Sequence, residues 1–175
     1  MGFPVKTPGI NTRIKELLYD WLFIWVYLLA LFSVIMVVYL VLIGGIPVFD
    51  SMQSQLVATL TTVVPLILVF TIMEGREPFA SYGKRKMNLT VIYKGNPMTG
   101  SLIRNTLKLL PWQFGHMSTI SGMYNGFDST FSIIFFSLSM GLSLMYILMA
   151  FLSKNNRHLA DLIAGSTVVV KQSNR

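Results

Sequence analysis

The sequence predicts an all-α membrane protein. The expected fold is a four-helix transmembrane bundle, its third helix polar and Pro-broken, with a small cytoplasmic β-strand pair. Three observations predict it. The 175 residues are 53% hydrophobic and 12% charged, about half the charge of an ordinary soluble domain. Three apolar runs are each long enough to cross a bilayer. The 14 Lys and Arg residues are distributed so that both termini and the central loop share one side, which three crossings alone do not allow. This composition excludes a soluble globular enzyme, a disordered chain and a coiled coil. With no Cys, disulfide scaffolds, thiolate metal sites and Cys nucleophiles are excluded as well.

The first run, Trp21 to Ile43, has Ser33 as its one clearly polar side chain. It reaches across the ~30 Å hydrocarbon core with room to tilt, and the span is set at about 17–43. It is too long for a signal peptide and has no small-residue cleavage site. The second span, about 56–73, holds four Thr and Pro65, which a bundle tolerates because neighbours satisfy the freed carbonyl. In the loop 76–100, Ala80 to Met87 is short and basic and suits the headgroup layer. Asn88 to Tyr93 is β-branched and aromatic and reads as a strand, and Lys94 to Pro97 reads as a turn. The fourth span, about 131–152, carries Gly141 between Ser139 and Ser143, small residues that admit a close helix neighbour. In the tail 153–175, Ser166 to Lys171 is a second strand-like run. It either pairs with the first strand beneath the bundle or frays. With no repeat and no linker, residues 1–175 form a single domain.

Lys6, Arg13 and Lys15 precede the first span. Arg76, Lys84, Arg85, Lys86 and Lys94 follow the second, and Lys154, Arg157, Lys171 and Arg175 follow the last. The loops 44–55 and 123–130 hold only Asp50 and Asp128. Both termini therefore read as cytoplasmic, and a fourth crossing is needed. The candidate is 102–122, although it contains Arg104, Lys108, Pro111, Gln113 and His116. It either crosses, breaking near Pro111, or lies in the interface as an amphipathic helix.

Ionisable residues at membrane depth are costly and mark function or architecture. Arg13 and Asp20 are seven apart, on one helix face but about 10 Å apart along the axis, so each is expected to pair with another segment. Asp20 is expected to find Arg104 or Lys108, and otherwise is a shallow residue reached by water. Arg157 and Asp161 are spaced to meet at i, i+4 on one helix face, and Asp161 is also within the expected reach of Arg13. The ion or proton site candidates are Asp20, Arg104, Lys108 and His116, and the charge network is Arg13, Asp20, Arg157 and Asp161. Lys84, Arg85 and Lys86 fix topology and suit anionic lipid headgroups. His116 either relays protons or hydrogen-bonds near Trp112, and His158 is expected at headgroups or solvent.

Arg13 with Asp20, then GKRKMNLTVIYKGNPM (83–98), then RHLADLIAGSTVVV (157–170) together resemble the RDD family of bacterial membrane proteins, named for one arginine and two aspartates. The resemblance covers about residues 10 to 171. It puts the arginine and first aspartate on Arg13 and Asp20, the second aspartate on Asp161, and the central pattern on Gly83, Lys84, Arg85 and Gly95. Ser166 stands where the family commonly has Thr. The resemblance implies a multi-pass protein of the bacterial cytoplasmic membrane. It implies little about activity: some members are linked to cation/proton exchange, others occur beside membrane proteases or peptide-resistance proteins.

Two functions are expected from this. The first is a small transporter moving cations, protons or a small solute, working as a homo-oligomer or with a partner subunit. The second is a scaffold or accessory subunit that binds lipid or another membrane protein. There is no nucleotide fingerprint and no HExxH. Two distant His without Cys make no metal motif, and a Ser143–His116 hydrolase has too little scaffold. No enzyme, cofactor, metal or nucleic-acid partner is expected.

Overall fold

The computed structural model describes residues 6–153 and 156–171. Lys154 and Arg175, counted above among the cytoplasmic charges, lie outside the described residues. The chain runs α1 (Ile10–Ile43), α2 (Ser51–Gly75), α3 (Tyr82–Lys86), β1 (Leu89–Tyr93), α4 (Pro97–Asn125), α5 (Thr130–Leu152), α6 (Leu159–Ile163) and β2 (Ser166–Val170). Three of these, α1, α2 and α5, are long and apolar enough to cross a membrane. They start earlier or end later than the hydropathy of the sequence suggests, because polar turns extend them. Asp50 caps α2 by accepting from the Gln53 N–H at 2.8 Å, while the Gln53 side chain accepts from the Asp50 N–H. Such a reciprocal cap satisfies two otherwise orphaned donors. The loop between α1 and α2 thus shrinks to 44–50.

The third long helix, α4, is not broken at Pro111. It is continuous over 29 residues. A proline removes the donor for the carbonyl four residues earlier, here Leu107. The Tyr146 hydroxyl on α5 donates to that carbonyl at 2.9 Å. At Pro65 the chain does the same. A π-helical stretch, Thr59–Val63, widens α2 just before it, and the Tyr27 hydroxyl on α1 donates to the Thr61 carbonyl at 2.5 Å. In both helices a tyrosine from a neighbour replaces the missing N–H, so neither helix has to break.

Helix α4 packs along α5 and α2, and α1 is held chiefly through α3. The helical core is Ile24, Leu66 and Phe70, with Tyr27, Leu109 and Trp112 against it. Gly141 meets no neighbour: a Cβ there would face open space, so the close approach expected at that residue is not made within the chain.

The two strands form one antiparallel pair, with Leu89 opposite Val170 and Tyr93 opposite Ser166. Leu89, Val91 and Val168 supply a second apolar cluster. The Val170 N–H also donates to the Lys6 carbonyl at 3.0 Å, so the start of the chain lies beside β2. Gly165, at φ +60°, turns the chain from α6 into β2, the left-handed position glycine takes after a helix. The helix expected over RHLADLIA is shorter, since Arg157 and His158 precede its first turn.

Candidate functional site

The charged residues of this chain converge where the N-terminal end of α1, the C-terminal end of α2, α3, the first turns of α4, and α6 meet. They alternate in sign. Arg13 pairs with Glu16. Lys84 Nζ sits 2.6 Å from Glu16 Oε1 and 2.8 Å from Glu74 Oε1, and its third donor reaches Ser81 Oγ at 3.2 Å. Arg104 Nη1 donates to Glu74 Oε2, and Arg104 Nε to Asp161 Oδ1 at 2.6 Å. Asn105 Nδ2 adds a bond to Glu74 at 3.3 Å. Asp161 is completed by Ser166 Oγ at 3.0 Å and by His158 Nε2 at 3.3 Å. Lys84, Glu74 and Arg104 have no solvent exposure at all. Desolvating such charges is offset only by close pairing, which this chain of contacts supplies to every charged group, although Arg104 Nη2 has no hydrogen-bond partner among the described residues.

The titrations follow the geometry. Burial works against the Lys84 charge, yet the Glu16 and Glu74 carboxylates outweigh it and hold the ammonium above its ordinary range. Burial also works against the Asp161 carboxylate, and the Arg104 guanidinium overrides it, holding Asp161 well below the usual carboxylate range. His158 goes the other way: burial pushes it down to about 3 despite Asp161, so it is a neutral ring stacked on Tyr146, with centroids 5.5 Å apart.

Several expected pairings are corrected. Asp20 does not meet Arg104 or Lys108 in an ion pair. Its Oδ2 accepts from Ser81 Oγ at 2.8 Å and its Oδ1 from the Gly83 N–H at 2.7 Å, with Lys84 Nζ 3.9 Å away. The cause is a close approach of α3 to α1: a Cβ on Gly83 would lie 2.1 Å from the Glu16 carbonyl oxygen. Only glycine lets the α3 backbone reach this carboxylate. Arg13 pairs with Glu16 rather than Asp161, because Arg104 occupies Asp161. Arg157 Nη2 donates to the Asp161 backbone carbonyl at 3.1 Å, not to its carboxylate, since Arg157 lies outside the helix. Lys84 is no headgroup ligand: it is buried at the centre of the network, whereas Arg85 and Lys86 are exposed. His158 is buried, not at a headgroup.

Glu16 and Glu74 were not singled out in the sequence, yet they join its two halves. A signal was present. Glu16 is three residues after Arg13 and four before Asp20, so all three share a face. Glu74 closes an apolar run in a chain with only seven acidic residues.

The next turns of α4 line a cavity of about 690 Å³ between α1, α2, α4 and α5. Asp20, Asn105 and Lys108 lie at one end, and His116 farther along. Lys108 Nζ is 5.7 Å from the centre of the Phe70 ring. Among the described residues no carboxylate lies within 4 Å of it, unlike Arg13, Lys84 and Arg104. His116 Nε2 accepts from Trp112 Nε1 at 2.5 Å and lies 3.3 Å from Thr62 Oγ1. The structure thus brings Asp20, Lys108 and His116 to one cavity. It places Arg104 in the closed network beside it.

No curated protein and no solved structure matches this chain. The sequence model of the RDD family matches residues 7–165, so the chain is a membrane protein belonging to the RDD family.

Proposed function

We propose that the protein is a small, non-enzymatic transporter of the cytoplasmic membrane, moving cations or protons or a small solute through the cavity on α4. The observation that carries this reading is Lys108, an ammonium lining that cavity without an ion-pair partner among the described residues. Lys108 is the proton-bearing group, and Asp20 the counter-charge at the same end. In this reading α4 is a fourth crossing and both termini are cytoplasmic. Its support is the length of α4, about 43 Å at 1.5 Å per residue, and its packing along α2 and α5. A second copy or a partner membrane protein completes the pathway, because four helices enclose little space.

The test is ion-driven proton flux in proteoliposomes, with sodium, potassium or lithium as the driving ion. Wild type is expected to carry flux, and Lys108→Gln to lose at least tenfold of it. Asp20→Asn is expected to lower the yield of folded protein more than the flux per folded molecule, since the carboxylate is engaged by Ser81 and Gly83. Wild type without flux under all three ions overturns the reading. The function left is then the scaffold, which the closed Glu16–Lys84–Glu74–Arg104–Asp161 network favours.

A further inference from the structure

The cavity on α4 has a polarity that ion transport does not require. Its cation is at one end, and its remaining length is mostly apolar. From Asn105 to Ile120 the lining runs 15 residues along α4, about 22 Å of helix. The walls are Trp21, Ile24, Phe70, Leu109, Trp112 and Ile147. Most polar groups along this stretch are spent inside the protein. Ser139 Oγ donates to the Pro111 carbonyl at 2.7 Å, the Tyr146 hydroxyl donates to Leu107, and His116 is held by Trp112. The mouth faces sideways: Leu17 and Trp21 on α1 are 44% and 52% exposed, and Ile147 on α5 is 54% exposed. These residues belong to helices long and apolar enough to cross a membrane, and a mouth between such helices faces lipid when they do.

We propose that this cavity is a binding site for an anionic lipid, its headgroup on Lys108 and one acyl chain along the groove. Charge complementarity chooses the sign. Lys108 is the cation of this region without a carboxylate within 4 Å among the described residues, and the oxygens of the adjacent Asp20 are turned away from it, engaged by Ser81 Oγ and the Gly83 N–H. A lone cation at a headgroup boundary attracts anionic lipid. Length chooses the tail. One leaflet holds about 15 Å of hydrocarbon, so the groove accommodates a full acyl chain. A small free anion uses the Lys108 end alone and leaves the apolar length unfilled. The inference goes beyond transport, because it holds whether or not an ion crosses.

Tryptophan quenching in nanodiscs tests it. Trp21 and Trp112 line the cavity with ring centroids 6.1 Å apart, and a Trp25→Phe background removes the third indole. The probes are brominated phosphatidylglycerol and brominated phosphatidylcholine at equal mole fraction. Wild type is expected to prefer the anionic lipid by at least threefold. Lys108→Gln should abolish the preference, Lys108→Arg should keep it, and Arg85→Gln with Lys86→Gln should leave it intact. Equal quenching by the two lipids, or a preference that survives Lys108→Gln, overturns the proposal. Displacement of the brominated lipid by inorganic phosphate also overturns it, in favour of a free-anion site. A preference that depends on Lys108, with no proton flux, supports the lipid site and removes the transport reading. Flux with equal quenching does the reverse.

Discussion

Lys84 is the residue whose neighbours decide most. Its ammonium is shared by Glu16 and Glu74, so Lys84→Met leaves two buried carboxylates without it. Removing one partner of a buried pair costs about 3–5 kcal/mol, a large part of a typical folding stability. In detergent the melting temperature is expected to fall by about 10 °C, at a few degrees per kcal/mol for a chain of this size. Lys86→Met, two residues on and exposed, should move it by about 2 °C or less. Adding Glu74→Gln to Lys84→Met should cost less than the sum of the two single changes, because the Lys84–Glu74 pair is lost only once. The sequence made Asp20, Arg104, Arg13 and Asp161 legible, because an ionisable residue in so apolar a chain draws attention by cost alone. Their partners were not legible. Glu16 and Glu74 fall just outside the apolar runs, and pairings such as Lys84 with Glu16 depend on Gly83 bringing α3 against α1, a contact across 67 residues of chain.

At the scale of elements, the two prolines illustrate how a local rule yields to a neighbour. Pro111 predicts a break in α4, since it frees the Leu107 carbonyl. Nothing in the local sequence indicates that Tyr146, 39 residues later, donates to that oxygen. Tyr27 plays the same part for Thr61 ahead of Pro65. A carbonyl left unsatisfied in an apolar surrounding costs about 1–3 kcal/mol. Tyr27→Phe and Tyr146→Phe should therefore each lower the melting temperature in detergent by several degrees. The two losses should add, because the sites sit on different helix pairs. Replacing the proline as well, as Pro111→Ala in Tyr146→Phe, should recover most of the second loss, since the Ala N–H then reaches Leu107. A loss of equal size in both backgrounds would show that the hydroxyl matters through some other contact. The strands were legible where the continuity of α4 was not. Asn88 to Tyr93 and Ser166 to Lys171 carry β-branched runs bounded by turn residues, and their pairing needed only each other.

At the scale of the whole molecule, the question is how many times the chain crosses. Hydropathy recognises α1, α2 and α5 and passes over α4, whose Arg104, Asn105 and Lys108 lower its average. The ends of α4 are fixed by specific contacts. At its start, Arg104 joins Glu74 at the end of α2 and Asp161 beyond α5. At its finish, the Tyr124 hydroxyl donates to the Phe49 carbonyl at 2.6 Å, in the loop between α1 and α2, and lies 2.8 Å from Ser54 Oγ. If α1 and α2 cross, the network and that loop lie on opposite faces of the membrane, and a helix tied to both at its two ends crosses too. The absence of Cys makes this measurable with single substitutions in exposed turns and an impermeant maleimide. Val48→Cys and Phe127→Cys are expected to label on intact cells, and Lys94→Cys only after permeabilisation. A helix lying flat in the interface would put residue 127 on the side of residue 94, and Phe127→Cys would then label with Lys94→Cys. That result would turn the polar face of α4 to the cytoplasmic surface, and would leave the Tyr124 bond to Phe49 without a geometry that allows it.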